Sequence, residues 1–139
     1  MAAAVTYDLT HGIATLTLNR SDSKNSLSVE LMDALGDNFT KAINDPGVRV
    51  IMLTNNGNTF CAGANLKDPN ANEVPRYSLV EIFNLMQSSP KPIVGRIAGH
   101  CMGGGVGLAA ACDISIVADD VLIGFTEVRI GVAPAIISV

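Results

Sequence analysis

Three segments of this 139-residue chain combine residue types that could do chemistry. The first is residues 60–67, Phe-Cys-Ala-Gly-Ala-Asn-Leu-Lys, where consecutive small residues let a ligand come close to the backbone. In such a turn a peptide N–H, such as that of Ala64, can point outward as a hydrogen-bond donor. By itself the segment is more often a plain connection between a strand and a helix.

The second segment is a glycine run at residues 98–107, Ala-Gly-His-Cys-Met-Gly-Gly-Gly-Val-Gly. A glycine run that follows a strand and opens a helix presents free N–H groups, which suit a phosphate or a developing oxyanion. No Gly-Lys-Ser/Thr follows, so the run is not a nucleotide-binding P-loop. By itself, a glycine run more often reflects close packing of a helix on a strand.

The third segment is residues 125–131, Phe-Thr-Glu-Val-Arg-Ile-Gly. Glu127 follows the end of a predicted strand and has apolar neighbours, so its carboxyl group is a candidate general acid or base. The competing interpretation is an exposed carboxylate paired with Arg129.

These segments must be positioned by strands and helices that the hydrophobic pattern predicts. Residues 13–18 alternate, with Ile13, Leu16 and Leu18 as β-formers and threonines between them. A helix begins near Ser28, which is a plausible N-cap. Strands are predicted at residues 5–9, 13–18, 48–54, 93–98, 114–118 and 122–125.

Apolar residues at helical spacing mark the three helices. They are Leu31, Leu35, Phe39 and Ala42 in the first, Leu79, Ile82, Phe83 and Met86 in the second, and Leu108 in a third that runs from the glycine run to Cys112. The predicted order ββα, βα, βα, β indicates an α/β fold with short strands and crossover helices. The length suits one domain over residues 1–139.

Composition excludes several classes of function. Apolar residues make up 48% of the chain, which excludes intrinsic disorder, and the net charge of −4 argues against nucleic-acid binding. No apolar run reaches about 18 residues, so no membrane span is predicted. The odd count of three cysteines indicates reduced thiols in a cytoplasmic protein, and with two isolated histidines they show no metal-ligand spacing.

Taken together and in this order, the three segments resemble the enoyl-CoA hydratase/isomerase (crotonase) superfamily. The opening residues 18–20 (Leu-Asn-Arg) and 25–28 (Asn-Ser-Leu-Ser) are similar to that family's CoA-proximal loop. The resemblance extends from about residue 5 to residue 137 of this chain. It implies a crotonase-like spiral of ββα units, acyl-CoA thioester substrates, and no cofactor, because coenzyme A is part of the substrate.

The resemblance also implies roles for individual residues. The N–H groups of Ala64 and Gly104 match the two oxyanion-hole donors that hold the thioester oxygen as it becomes an enolate, and Glu127 matches a catalytic acid/base. The residues implied in binding the CoA thioester are Lys24, Ser26, Leu27, Ala62, Leu66, Lys67 and Gly103.

One position departs from the pattern of the best-known hydratases. Gly107 stands where they carry a second glutamate, and glycine can do no acid or base work. We therefore expect an enoyl-CoA hydratase in which Glu127 acts alone. The alternative is a Δ3,Δ2-enoyl-CoA isomerase, which shuttles a proton with one base.

The length of the chain raises a third possibility for its function. Crotonase chains are usually near twice as long, and their C-terminal helices cover the acyl pocket and build trimers. We therefore expect a chain truncated before those helices, a homotrimer or dimer of trimers for the full-length protein, and, as the alternative, a non-catalytic acyl-CoA-binding chain.

A different class is a cysteine hydrolase. Residues 99–103, Gly-His-Cys-Met-Gly, fit the pattern of a nucleophile between glycines, with Cys101 as the nucleophile. Such an enzyme needs a histidine in reach, and the chain has only His11 and the adjacent His100. The competing interpretation of Cys101 is a small buried residue.

Overall fold

The computed structural model describes residues 2–65, 69–70 and 72–133 of the chain. The strands are β1 (Val5–Thr10), β2 (Ile13–Leu18), β3 (Val50–Asn55), β4 (Thr59–Cys61), β5 (Ile93–Ile97), β6 (His100–Met102), β7 (Ile114–Val117) and β8 (Ile123–Gly124). The helices are α1 (Val29–Asn44), α2 (Leu79–Ser88) and α3 (Gly104–Ala110), with short 3-10 segments at Ser21–Ser23 and Glu127–Ile130.

The described strands form two sheets. The larger has the order β1-β2-β3-β5-β7, in which β1 and β2 form an antiparallel hairpin and every other pairing is parallel. The smaller has the order β4-β6-β8 and is parallel throughout. This mixed α/β architecture confirms the predicted fold class.

Helix α1 covers the larger sheet and forms much of the core. The Ser28 side chain caps it by accepting a hydrogen bond from the Leu31 N–H at 3.1 Å, as predicted. The apolar stripe is fully buried, and the helix packs against β1 and β2. The stripe consists of Leu31, Leu35, Phe39 and Ala42.

Two short strands, β4 and β6, are absent from the sequence prediction. Both have three residues and lie inside segments that the composition marks as turns. They are too short to show an alternation with a period of two. They matter because each leads directly into a glycine-bearing turn of the site described below.

The edges formed by β7 and β8 expose apolar side chains. Ile114, Ile116 and Leu122 are 59%, 62% and 66% exposed. Of the helices in the described part of the chain, none is both long enough and apolar enough to cross a membrane.

Helix α1 also carries a glycine at its contact with the segment that precedes α2. A methyl group added at Gly36 would lie 2.3 Å from Cγ of Tyr77, so the aromatic ring occupies the space a side chain would need. The ring is held nearby by a hydrogen bond of 3.3 Å from the Tyr77 N–H to Asp33.

We predict that Gly36→Ala destabilises the protein, with the free energy of unfolding falling by about 1–2 kcal/mol in urea titrations. Overpacking costs about 1–3 kcal/mol, which outweighs the gain of about 1 kcal/mol in helix propensity. In a Tyr77→Ala background the clash is gone, and the same substitution should stabilise. An equal effect in both backgrounds would contradict this account of the contact.

Candidate active site

Two glycine-bearing turns, one after β4 and one after β6, touch each other. A methyl group added at Gly63 would lie 3.1 Å from the carbonyl oxygen of Met102 and 3.3 Å from the amide nitrogen of Gly104. Gly63 and Gly103 have φ of 85° and 54°, a backbone conformation that L side chains rarely adopt. Glycine at these positions therefore satisfies both the conformation and the close approach of the two backbones.

The orientation of the Ala64 amide follows from a hydrogen bond on its own peptide unit. The Leu27 N–H donates to the Gly63 carbonyl oxygen at 2.8 Å. Because a trans peptide is planar, the N–H of Ala64 points away from that carbonyl and from Leu27. Within the described part of the chain, the Ala64 N–H has no backbone acceptor.

Helix α3 supplies the second amide. It begins at Gly104, whose N–H has no acceptor within the helix because the first helical turn has none. The N–H of the preceding Gly103 is already used, since it donates to the carbonyl of Gly124 in β8 at 3.1 Å. The contact between the two turns thus brings the Ala64 and Gly104 amides to one place.

Strand β8 positions the Glu127 carboxylate beside the turn that contains Gly103. Gly124 pairs with Met102 of β6, so the chain leaves β8 beside Gly103, and Glu127 follows three residues later at the start of a 3-10 turn. A methyl group added at Gly103 would lie 2.6 Å from Oε1 of Glu127. The carboxylate therefore rests directly on the bare backbone of Gly103.

The Glu127 carboxylate has an atom available for chemistry. Its Oε2 is buried and has no hydrogen-bond partner in the described part of the chain. None of the ion pairs among residues 2–65, 69–70 and 72–133 joins Glu127 to Arg129, which removes the support for the exposed, paired interpretation. Buried carboxylate oxygens are ordinarily partnered, so this one is a candidate for contact with a substrate.

A cavity of about 220 Å³ lies between the Ala64 segment and the Glu127 carboxylate; Gly104 is not among its lining residues, although its neighbour Gly103 is. Its polar groups are one carboxylate, one hydroxyl and backbone amides, and its remaining walls are aliphatic. It is lined by Ala62, Gly63, Ala64, Gly103, Thr126, Glu127, Ile130 and Val132. Such a site can bind an anionic or polarised oxygen on its amides while the carboxylate exchanges a proton with a neighbouring carbon or water.

Comparison with known proteins decides the family. A family model described as enoyl-CoA hydratase/isomerase matches residues 8–139. The chain belongs to the enoyl-CoA hydratase/isomerase family.

Individual relatives agree with this family assignment. The chain is similar to a Mycobacterium bovis protein named "Probable enoyl-CoA hydratase echA6", with 38% identity over 87% of this chain. It is also similar, at 36% identity over 91% of this chain, to a Thermus thermophilus protein provisionally named as an enoyl-CoA hydratase. The alignments cover 49% and 53% of those proteins, so the chain spans about half the length of the relatives it matches.

Solved structures of the family share the fold. A Legionella pneumophila protein, provisionally described as an enoyl-CoA hydratase/isomerase (crotonase), superposes with a TM-score of 0.88 at 33% identity and covers 99% of this chain. An enoyl-CoA hydratase of Mycobacterium smegmatis gives a TM-score of 0.85 at 27% identity over 96% of this chain. This chain covers 56% and 55% of those two structures. The crotonase-like fold expected from the sequence is thereby confirmed.

Most of the binding residues that the family resemblance implies lie along one seam of the site. Residues 24–27 run beside residues 62–64, because the Lys24 carbonyl accepts from the Ala62 N–H at 3.1 Å and Leu27 bridges to Ala64. Ser26 and Leu27 are buried, whereas the Lys24 side chain is exposed. Gly103 lines the cavity. Leu66 and Lys67 lie outside the described residues.

Four residues that line the cavity were not predicted individually from the sequence, although the first three lie in the segments 60–67 and 125–131: Gly63, Thr126, Ile130 and Val132. For Ile130 the available signal was its spacing of three residues from Glu127, which places both side chains on one side of a 3-10 turn. Thr126 has a hydroxyl group and Gly63 can adopt a positive φ, but neither stands at a spacing that marks it, and Val132 has no polar group in its side chain.

The cysteine-hydrolase alternative does not fit this enoyl-CoA hydratase/isomerase family chain. Cys101 is fully buried, and burial raises the pKa of its thiol to about 12, the opposite of what a nucleophilic cysteine needs. The adjacent His100 is engaged elsewhere, since its Nδ1 accepts a hydrogen bond from the Leu122 N–H at 3.0 Å. His11 lies in the turn between β1 and β2. Cys101 is therefore a small core residue.

We predict that Cys61 and Cys101 resist iodoacetamide in the native protein at pH 8. Both are fully buried, and burial raises the pKa of each thiol to about 12, so almost no thiolate is present. Peptide mass spectrometry should show both unmodified after an exposure that alkylates every thiol of the urea-unfolded chain. Alkylation of native Cys101 at the unfolded rate would revive the hydrolase reading.

Proposed function

We propose that this chain carries the catalytic core of an enoyl-CoA hydratase. In this proposal the thioester oxygen of a 2-enoyl-CoA binds between the N–H groups of Ala64 and Gly104, and Glu127 manages the protons. The observation that supports it most is the unpartnered Oε2 of Glu127, buried in a cavity whose wall includes the two glycine-bearing turns.

The proposed reaction is water addition across the C2–C3 double bond. Glu127 accepts a proton from water as the water oxygen bonds to C3, and the π electrons move through C2 to the thioester oxygen. The two amide N–H groups stabilise that enolate oxygen, each donor contributing about 3 kcal/mol to lowering the barrier. The protonated carboxyl group then gives its proton to C2, which returns Glu127 to its starting state and releases a 3-hydroxyacyl-CoA.

The rest of the substrate binds along the seam of residues 24–27 and 62–64. In this proposal Ala62 and Leu66 line the adenine and pantetheine side, with Ser26, Leu27 and Gly103 alongside. Lys24, whose side chain is exposed, and Lys67 offer positive charge to the CoA phosphates. No cofactor is required beyond the coenzyme A of the substrate.

A Δ3,Δ2-enoyl-CoA isomerase is the second candidate. What favours it is that Glu127 is the one carboxylate lining the cavity within the described part of the chain, with Gly107 at the position of the usual second glutamate. Glu127 would take a proton from C2 of a 3-enoyl-CoA and return it to C4, with the dienolate oxygen on the same two amides. Water addition is not needed in that reaction.

We propose a cytoplasmic enzyme of acyl-CoA metabolism that assembles as a homotrimer or a dimer of trimers in its full-length form. Sedimentation velocity of the full-length protein tests the assembly directly.

We predict that the chain converts crotonyl-CoA to 3-hydroxybutanoyl-CoA, as followed by proton NMR. A parallel reaction with 3-hexenoyl-CoA separates the two candidates, because an isomerase moves the double bond without adding water. Release of free CoA thiol would instead indicate hydrolysis. No change in either thioester would overturn catalysis by this chain and leave the non-catalytic acyl-CoA-binding alternative.

We predict that Glu127→Gln lowers kcat by about 10²–10⁴-fold, because the amide keeps the shape of the side chain but cannot exchange the proton. The matched control is Glu73→Gln, an exposed glutamate outside the cavity lining, which should keep the activity. Full turnover by Glu127→Gln would remove Glu127 from the mechanism.

A further inference from the structure

Asn25 is a fully buried polar side chain that does not line the cavity. Its Oδ1 accepts a hydrogen bond from the Arg20 N–H at 2.7 Å. Its Nδ2 donates to the carbonyl oxygens of Asn56 at 3.1 Å and of Thr59 at 2.8 Å. One amide group thus joins the loop before α1 to the turn that leads into β4.

The backbone at this position is as constrained as the side chain. Lys24 and Asn25 are consecutive residues with φ of 55° and 49°, in the left-handed region where asparagine is among the more tolerated residues. The Asn25 N–H also donates to the Arg20 carbonyl at 2.8 Å. These contacts fix the direction in which the chain continues toward Leu27.

The segment around Asn25 makes two backbone hydrogen bonds with the turn after β4. On one side of Asn25, the Lys24 carbonyl accepts from the Ala62 N–H; on the other, the Leu27 N–H donates to the Gly63 carbonyl. The second contact orients the peptide unit whose N–H belongs to Ala64. Asn25 therefore lies between the two contacts that hold the turn.

Leu27 also contacts Gly104, which carries the second amide. A methyl group added at Gly104 would lie 2.6 Å from Cδ1 of Leu27, so this side chain packs on the residue that begins α3. The placement of Leu27 therefore bears on both Ala64 and Gly104.

We propose that Asn25 is a positioning residue of the reaction, which orients the Ala64 N–H through the Leu27–Gly63 hydrogen bond. This inference rests on the proposed function, since it assigns a purpose to an amide that the proposal places on the thioester oxygen. Asn25 itself touches no reacting atom. Its loss should weaken the hydrogen bond from the Ala64 N–H to the thioester oxygen, and with it the stabilisation of the enolate.

Asn25→Gly is the informative variant, because glycine keeps the left-handed backbone and removes all three side-chain hydrogen bonds. We expect kcat to fall by about tenfold to a hundredfold. The control for stability is Ile82→Val, a truncation at a fully buried position of α2, which should lower the unfolding midpoint and keep kcat. Equal kcat in the two variants would overturn the proposal.

A spectroscopic readout separates positioning from a merely structural role. The infrared carbonyl band of butanoyl-CoA labelled with ¹³C at the thioester carbon should move to lower frequency on binding, because hydrogen bonds weaken the C=O bond. In Asn25→Gly the bound band should lie closer to that of free thioester, while in Ile82→Val it should match the unsubstituted protein. An unchanged band in Asn25→Gly would contradict the positioning role.

A measurement without substrate keeps this inference distinct from the proposed function. The NMR scalar coupling across the hydrogen bond from Leu27 ¹⁵N to Gly63 ¹³C′ should be present in the protein and lost in Asn25→Gly. If the protein binds no thioester, the proposed function fails and this coupling alone decides the effect of Asn25. A retained coupling in Asn25→Gly overturns the inference. If that variant does not fold, Asn25→Asp removes the two donors while keeping the acceptor and carries the same comparison.

Discussion

The close approach of two backbones, Gly63 against Gly103 and Gly104, is the constraint on which the rest of this site depends. Both turns use glycines with positive φ, and the contact is tight, since a methyl group added at Gly63 would lie 3.1 Å from the Met102 carbonyl oxygen. The same bare backbone at Gly103 is the surface on which the Glu127 carboxylate rests. A side chain at Gly63 would push the two turns apart, and one at Gly103 would push the Glu127 carboxylate away from the backbone.

The two sheets hold the two glycine-bearing turns against each other. The smaller sheet aligns β4, β6 and β8 in parallel, so that all three strands end at the same edge of the sheet. The two turns and Glu127 follow these strand ends. The larger sheet and α1 supply the buried core that holds this end in place. The loop before α1 then ties the first turn to the core through Asn25 and Leu27.

Much of this was predictable from sequence because the signals were local. The α1 stripe and the Ser28 cap follow from side-chain spacing and hydrogen-bonding capacity, and the three chemical segments follow from residue type and order. In β2 the prediction grouped Ile13 with Leu16 and Leu18, yet the structure buries Ala14 on that face and leaves Ile13 42% exposed. Residues 14, 16 and 18 share one face of a strand with a period of two, but the small side chain of Ala14 is a weak hydrophobic signal in the sequence. The cavity lining and the role of Asn25 depend on pairings across more than 30 residues, which local pattern does not encode.

In the proposed mechanism, one carboxylate and two peptide amides form an enolate of an acyl-CoA thioester. Proton NMR of butanoyl-CoA incubated with the protein in D₂O tests it most directly, because this saturated thioester can neither be hydrated nor isomerised. The account predicts that the C2 hydrogens exchange for deuterium with the protein and stay in place with Glu127→Gln. Equal exchange with both proteins, or none with either, would contradict it.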